Sequence, residues 1–392
     1  MDSENSNARY HRQMLLPGFG ERGQAALSAA HIAVVGLGAL GCVIADQLCR
    51  AGIGTLTLID RDIVELSNLQ RQTLYITSDV GRSKAEAAQD RLTHVNPAVR
   101  LFCEPTDLRS DNAESILGIL SQRPAAIIDG TDNFHTRYLL NDVCCKHGLP
   151  LIYGGAVGTT GTAMLIRPRV PRQQIAHQPD EHPPCASVRA CPCLRCIAPL
   201  PPEAGSIPTC DTAGVLAAAT GIIGSVQSAL ALREVVGLNQ INAGPAADQA
   251  GQLLEFDLAD FGQGAWRVRD ISALADPDCI CCGQGTYDFL AGRFDTSERV
   301  LCGRNTVQIL PARESAPGLR SPAAWLDEVA SRGLAMGAVT RSGRIVRIAL
   351  AASRVNTAAA PMEISVFEDR RVLITGTTDI ARARALAAQL LG

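Results

Sequence analysis

The first sharp change in the hydrophobic pattern comes at His31 to Val35, where a polar opening gives way to a short apolar run that predicts a buried strand. Gly36-Leu37-Gly38-Ala39-Leu40-Gly41 follows, and helical spacing continues to about Ala51. A strand, a glycine turn and a helix start leave backbone N–H groups and a helix N-terminus aimed at a phosphate. The next apolar strand, Thr55 to Ile59, ends in Asp60, about twenty residues beyond the turn, where a carboxylate can accept hydrogen bonds from ribose hydroxyls. Arg61 to Tyr75 is a polar loop carrying Asp62, Asn68, Gln70 and Arg71. The helix predicted from about Ser83 to His94 puts Lys84 in its first turn, where the macrodipole disfavours a cation unless an anion sits beside it.

Further along, strands at Val99 to Cys103 and Ala125 to Ile128 flank a helix at about Asn112 to Gln122, and Asp129-Gly-Thr-Asp132-Asn133 closes the second strand. Polar residues just past a strand's carboxyl end are where open α/β sheets hold ligands. A helix at Phe134 to Lys146 and strands at Leu149 to Tyr153 and Thr160 to Ile166 continue the alternation. The pattern predicts an α/β fold, a Rossmann-like mostly parallel sheet with a nucleotide site. Residues 169–210 are proline-rich and aperiodic, a long crossing loop. The uncharged run Ala213 to Leu232 follows, then a hairpin at Leu253 to Asp257 and Trp266 to Arg269, and this first domain closes at Cys279 to Gly283. It spans residues 1–284. Residues 285–392 read as a small C-terminal α+β domain: strands at Val300 to Leu310 and Gly343 to Ala351, a helix at Pro322 to Ser331, a hairpin turning at Glu368-Asp369, and a last helix from Thr378 to Leu391. The opening Arg9 to Gly20 is too rich in glycine, proline and charge for a core helix and reads as a docking arm.

Composition narrows the function. A net charge of −3 offers no basic stripe, which argues against nucleic acid as partner. Ala213 to Leu232 is long enough to cross a bilayer, yet it is built mostly of Ala, Gly, Ser and Thr, which favours a buried helix over a membrane span. The N-terminus shows no export signal. Fourteen cysteines without one indicate thiols or metal in a reducing cytoplasm.

Two CxxC units stand out, Cys193-Leu-Arg-Cys196 and Cys279-Ile-Cys-Cys282. Each can point two sulfurs at one ion, and together they complete a tetrahedral thiolate site for structural Zn²⁺ that clamps the crossing loop to the domain's end. Cys191 and Cys281 blur the register and can replace a neighbour. Cys42, Cys49, Cys144 and Cys145 fall in predicted helices and read as small core residues. Cys210 lies just ahead of the uncharged helix, whose N-terminus favours a thiolate, although Asp211 opposes it. From the glycine turn and Asp60 alone, an NAD-linked dehydrogenase and an ATP enzyme fit equally well.

Taken together, Arg9-Tyr-His-Arg12-Gln13, the glycine turn, Asp60, Ser67-Asn68-Leu-Gln-Arg71-Gln72, Lys84, Thr131-Asp132-Asn133, both CxxC pairs and Thr209-Cys210 resemble the ThiF/MoeB/HesA family, bacterial relatives of ubiquitin-activating enzymes. The resemblance runs in one order from residue 8 to residue 284. It implies an ATP- and Mg²⁺-dependent enzyme that adenylates the C-terminal Gly-Gly carboxylate of a ubiquitin-like sulfur carrier, for thiamine or molybdopterin synthesis. It implies that Gly36, Gly38 and Gly41 line the nucleotide site, that Asp60 holds the ribose, that Asn68, Arg71 and Lys84 contact phosphates and that Asp132 serves Mg²⁺. By the same resemblance Arg12 reaches ATP from the partner subunit of a homodimer, Cys210 joins sulfur transfer in the thiamine branch, and a cysteine desulfurase or rhodanese supplies the sulfur. No cysteine follows Cys302, so the C-terminal domain is not expected to be a rhodanese. A dehydrogenase would leave Arg71, Lys84, Asp132 and the thiol pairs idle, and a catalytically silent scaffold would have no use for the cations.

Overall fold

The computed structural model describes residues 3–168, 191–203, 206, 208, 210–237, 251–260, 265–296, 298–301, 305–310, 321–351 and 362–391. The chain divides into two compact units, with the boundary between Phe294 and Asp295.

The first unit is built on an eight-stranded sheet ordered β3-β2-β1-β4-β5-β6-β7-β8. These are β1 (His31–Val35), β2 (Thr55–Ile59), β3 (Arg100–Glu104), β4 (Ala126–Asp129), β5 (Leu151–Val157), β6 (Thr160–Ile166), β7 (Gln252–Asp257) and β8 (Trp266–Asp270). β1 to β5 pair in parallel and β5 to β8 antiparallel. The chain winds outward through β2 and β3, then crosses back to lay β4 on the other side of β1. That reversal makes a crevice at the carboxyl ends of β1 and β4, the topological switch point at which such sheets bind nucleotides.

Helices cover both faces, so β1 is buried throughout. Ile32 and Val34 pack with Ile44 and Leu48 of α3 (Ala39–Ala51), whereas Ala33 and Val35 pack with Tyr138 and Leu139 of α6 (Phe134–His147). The uncharged run forms a helix at Ala217–Val236, sandwiched against α3 with Ile223 in the core. Among the described residues, no helix is long and apolar enough to cross a membrane.

Several expectations are corrected. The opening arm contains a helix, α1 (Ser3–Met14), because Pro17 and Gly18 lie beyond its end and stop it without interrupting it. α1 leads into α2 (Gly20–Ala29), and Tyr10 is buried where its hydroxyl accepts from Asn96 Nδ2 at 2.8 Å. The helix expected over Asn112 to Gln122 is only α5 (Ala113–Ile116), cut short before Gly118 at φ +70°. Residues 285–294 belong with the first unit, since Phe289 N donates to Asp142 Oδ2 at 2.8 Å and its ring lies 5.0 Å from Tyr138. Of the crossing loop, 169–190 lie outside the described residues, as do Cys185, Thr209 and Cys302.

The second unit is α+β, a six-stranded antiparallel sheet ordered β11-β12-β13-β14-β10-β9. The strand predicted over Val300 to Leu310 covers a hairpin, whereas the one predicted over Gly343 to Ala351 is the second strand of a hairpin whose first strand, Gly337–Ser342, the pattern missed. One pairs β9 (Glu298–Leu301) with β10 (Thr306–Ile309), entered through Asn305 at φ +46°. The other pairs β11 (Gly337–Ser342) with β12 (Ile345–Leu350), turning at Gly343 with φ +54°. The hairpin of β13 (Glu363–Phe367) and β14 (Val372–Thr375) turns where expected, at Glu368-Asp369. Helices at Pro322–Gly333 and Ile380–Leu391 supply Leu326, Val329, Ala387 and Leu390 to its core.

Candidate functional site: a nucleotide crevice and a thiol cluster

The glycine turn occupies the switch point. Gly36 leaves β1 at φ +86°, a conformation other residues adopt only under strain. A Cβ on Gly36 would sit 2.8 Å from the Gly130 carbonyl carbon, and one on Gly41 would run into the Gly36 carbonyl oxygen. The loops after β1 and β4 therefore touch, and α3 starts directly on the turn with Gly38 as its N-cap. Its first N–H groups have no intrahelical acceptors and face the crevice, the arrangement that receives phosphate oxygens.

Asp60 holds this turn. Its Oδ2 accepts from Leu37 N at 2.6 Å and its Oδ1 from Asp62 N at 2.7 Å. Tyr75 reinforces the turn by donating to Leu37 O at 2.8 Å. Each carboxylate oxygen has a second lone pair, so anchoring the turn leaves Asp60 able to accept from a ribose. Burial pushes the Asp60 carboxyl above its ordinary range, and the Lys84 charge pulls the other way.

Lys84 begins α4 (Lys84–Val95) and is buried, with Nζ 3.3 Å from Asp62 Oδ2 and its backbone N donating to Asp62 O at 3.0 Å. The anion that a cation in a first helical turn requires is Asp62. Asn68, buried in the short helix Leu66–Asn68, accepts from Glu65 N at 3.1 Å through Oδ1. Arg71 is half-buried and donates to Ser67 O at 3.0 Å. Gln72, in the same segment, brings Nε2 within 3.9 Å of where a Gly38 Cβ would lie, so this loop covers the glycine turn.

On the β4 side, Asp132 is exposed in the loop that follows the strand. Thr131 N and Oγ1 donate to Asp129 Oδ1, and Arg137 Nη2 donates to Thr131 O at 2.7 Å and Gly154 O at 3.0 Å. Arg137 also pairs with buried Asp129 at 3.1 Å. Burial raises the Asp129 carboxyl while Arg137 opposes the rise, so the pair pins the base of the Asp132 loop.

Two further expected site residues are placed by contacts outside the glycine turn of their own chain. Arg12 is exposed at the end of α1, and its neighbour Gln13 donates to Ala51 O at 2.7 Å, at the C-terminal end of α3. A helix of that length separates its ends by about 20 Å at ~1.5 Å per residue. Cys210 starts its own four-residue helical turn, Cys210–Ala213, cut off from the long helix by Gly214 at φ +74°. The helix-terminus argument for a Cys210 thiolate therefore falls away. Its Sγ donates to Ala156 O at 3.1 Å, near the carboxyl end of β5.

The CxxC sulfurs converge. Cys193, Cys196, Cys279 and Cys282 hold their sulfurs within 4.8 Å of one another. The nearest separations are 3.5 Å for Cys196 with Cys282, 3.7 Å for Cys193 with Cys279 and 3.9 Å for Cys193 with Cys196. A tetrahedron with Zn–S bonds of ~2.3 Å has edges of about 3.8 Å, so the set fits Zn²⁺. Cys193 caps the turn Leu194–Ile197, and Leu194 N donates to Asn141 Oδ1 at 2.8 Å. Hydrogen bonds from its three neighbours push the Cys279 thiol down, whereas those around Cys282 push it up. A cation bound by the four sulfurs would hold them as thiolates.

A family model described as the ThiF family matches residues 10–281. The chain belongs to the ThiF family. Similar proteins include the sulfur carrier protein adenylyltransferase of Thermus thermophilus, 37% identical over 276 residues that cover 70% of this chain and 90% of the relative. The sulfur carrier protein ThiS adenylyltransferase of Bacillus subtilis is 32% identical over 386 residues, 98% of this chain and 99% of the relative. The adenylyltransferase and sulfurtransferase MOCS3 of Drosophila virilis is 39% identical over 76% of this chain, which spans 58% of that protein. A crystal structure of E. coli MccB with MccA-N7isoASN shares the fold, with a TM-score of 0.54 at 18% identity over 71% of this chain and 75% of the MccB chain.

Sequence spacing did not single out three residues that organise the sites of this ThiF-family chain. Asp62 and Asn141 act through partners distant in sequence, and Arg137 through Asp129 and Thr131 of the preceding strand and loop. The available signal was polarity out of place: Arg137 and Asn141 lie one turn apart on α6, a helix that is otherwise largely core, and both are buried.

Proposed function

We propose that this protein uses ATP and Mg²⁺ to adenylate the C-terminal Gly-Gly carboxylate of a ubiquitin-like sulfur carrier, releasing pyrophosphate. The observation that carries the reading is the convergence, at one switch point, of the glycine turn, Asp60 and the buried Asp62–Lys84 pair. The Thermus and Bacillus relatives, both sulfur carrier adenylyltransferases, support it. Similarity to the Bacillus protein runs through the second unit, which favours a ThiS-like carrier and the thiamine branch over molybdopterin.

In this reading the glycine turn and the first turn of α3 take the phosphates, and Asp60 takes the ribose. The carrier carboxylate attacks the α-phosphorus as the bond to pyrophosphate breaks. Negative charge grows at phosphorus, and Arg71, Lys84 and Asn68 offer donors already in place, which lowers the barrier without reorganisation. Mg²⁺, when bound, neutralises phosphate charge, and Asp132 is the carboxylate that would hold it, on a loop pinned by Arg137. Arg12 lies at the far end of α3 from the glycine turn of its own chain, which supports a homodimer in which it serves the partner's site. Zn²⁺ in the four-thiolate set is structural.

A dehydrogenase would share the glycine turn and Asp60, so nucleotide choice tests the assignment. Titration followed by intrinsic fluorescence is expected to show saturable binding of ATP with Mg²⁺ and none of NAD at equal concentration. Preference for NAD would overturn the reading.

Sulfur transfer from a cysteine desulfurase or rhodanese needs a thiol near the acyl-adenylate, and Cys210, at the carboxyl end of the sheet, fills that role. Cys210→Ala is expected to retain most ATP–pyrophosphate exchange and to lose any covalent enzyme–carrier species, as read by mass spectrometry under non-reducing conditions. An adduct that persists in the variant would move the thiol to Cys185 or Cys191. An adduct absent even from the unaltered protein, with carrier thiocarboxylate still formed, would make Cys210 a bystander.

A further inference from the structure

The four-thiolate set is not the whole cluster. Cys145, on α6, and Cys281, between the ligands Cys279 and Cys282, place their sulfurs within 4.8 Å of each other and of Cys193. All three residues are buried. Cys193 thus belongs to two groups at once, the tetrahedral set on one side and a three-sulfur set on the other.

Two neighbours indicate how these sulfurs are used. Of the two ends of the Asn141 amide only the oxygen can accept from Leu194 N, so that bond fixes the amide orientation and aims Nδ2 at the sulfurs. Asn141 Nδ2 donates to Cys281 Sγ at 3.3 Å and to Cys193 Sγ at 3.8 Å, treating both as acceptors. Asp142 is fully buried, with Oδ1 3.3 Å from Cys281 Sγ. Asn141 and Cys145 lie one helical turn apart, so a single face of α6 presents the amide and the third sulfur. Besides holding Phe289 N and Leu194 N, this carboxylate and this amide give the three sulfurs one acceptor and one donor in an otherwise apolar core.

We propose that Cys145, Cys193 and Cys281 form a second metal site for a soft d¹⁰ cation, with the Cys193 sulfur bridging it to the ion of the four-thiolate set. Soft thiolate donors select monovalent copper or zinc. Three sulfurs suffice for trigonal Cu⁺, whereas tetrahedral Zn²⁺ would draw Asp142 in as a fourth donor. With two Zn²⁺, six thiolates leave the same net −2 on the cluster as four thiolates around one ion, so the second site adds no uncompensated charge beyond Asp142. Arg195, buried with Nη1 3.9 Å from Asp142 Oδ1, offsets that carboxylate. The inference rests on the four-thiolate reading and is independent of the nucleotide site.

The test is metal stoichiometry by elemental analysis of the intact protein. Protein is stripped of metal under reducing conditions, reloaded with Zn²⁺ alone or with Zn²⁺ followed by Cu⁺, and desalted. The unaltered chain is expected to retain two ions, and which arm reaches two identifies the second ion. Cys145→Ser and Cys281→Ser are each expected to halve the content to one, and that retained ion reports an intact first site. If either serine variant fails to fold, the corresponding alanine variant replaces it. Saturation of the unaltered protein at one ion in both arms would overturn the proposal, as would two ions retained by the Cys145 and Cys281 variants. Failure of the four-thiolate reading would look different, as full metal content in Cys282→Ser.

Discussion

Lys84→Ala and Arg71→Ala are each expected to slow carrier-dependent ATP–pyrophosphate exchange by about 30- to 1,000-fold, equivalent to ~2–4 kcal/mol of transition-state stabilisation. The two losses have different companions. Lys84 is buried against Asp62, so its removal takes a cation from beside that carboxylate, although Arg61 Nε stays 3.8 Å away, and lifts the restraint that Lys84 places on Asp60. Asp60 then takes up a proton at a higher pH than before, and Lys84→Ala should lose stability together with activity. Arg71 is half-buried and bonded only to a backbone oxygen among the described residues. Arg71→Ala should keep its unfolding midpoint and lose rate alone. Exchange unchanged in both variants would remove these cations from the reaction.

Cys196→Ser and Cys282→Ser are expected to lose the ion of the four-thiolate set and, with it, thermal stability. Structural zinc is worth on the order of 10 kcal/mol in small zinc domains, where binding is largely folding energy. Here an extensive core shares the load, yet a fraction of that figure exceeds the ~1 kcal/mol typical of a point substitution. The effect should reach the packing around Asn141, which is bonded through Leu194 to the turn that holds Cys193 and Cys196. Elemental analysis and thermal unfolding, with and without a chelator, provide the readout. Full zinc occupancy in either variant would exclude that cysteine as a ligand.

Much of the first unit is legible in the sequence because its central strands are buried on both faces. His31–Val35 and Thr55–Ile59 are mainly apolar, without a charged residue, and closed by glycine or aspartate, and the observed strands have the expected ends. The glycine turn and the two CxxC pairs are local patterns with local geometry, so spacing alone brings them out. The residues that escaped are those whose meaning is tertiary. Lys84 looked anomalous because its partner, Asp62, lies 22 positions earlier. Cys145 resembled any small core residue of a helix until Cys281 folded against it. The separate turn at Cys210 was hidden by the low complexity of the uncharged run, although Gly214 already marked the break. In the second unit β9 and β10 were merged into one strand because few residues separate them, and β11 escaped because Ala338 and Val339 are its only apolar residues.

The central claim is that the crevice at β1 and β4 activates a protein carboxylate with ATP. Its most direct test is exchange of labelled pyrophosphate into ATP by the purified protein with Mg²⁺, in the presence of Gly-Gly-terminated ubiquitin-like carriers of the ThiS and molybdopterin types. The account predicts label in ATP only when Mg²⁺ and a carrier with an intact Gly-Gly end are both present, and none with a carrier lacking its last glycine. Exchange that is indifferent to the carrier's end, or no exchange with any such carrier while ATP is bound, would contradict it.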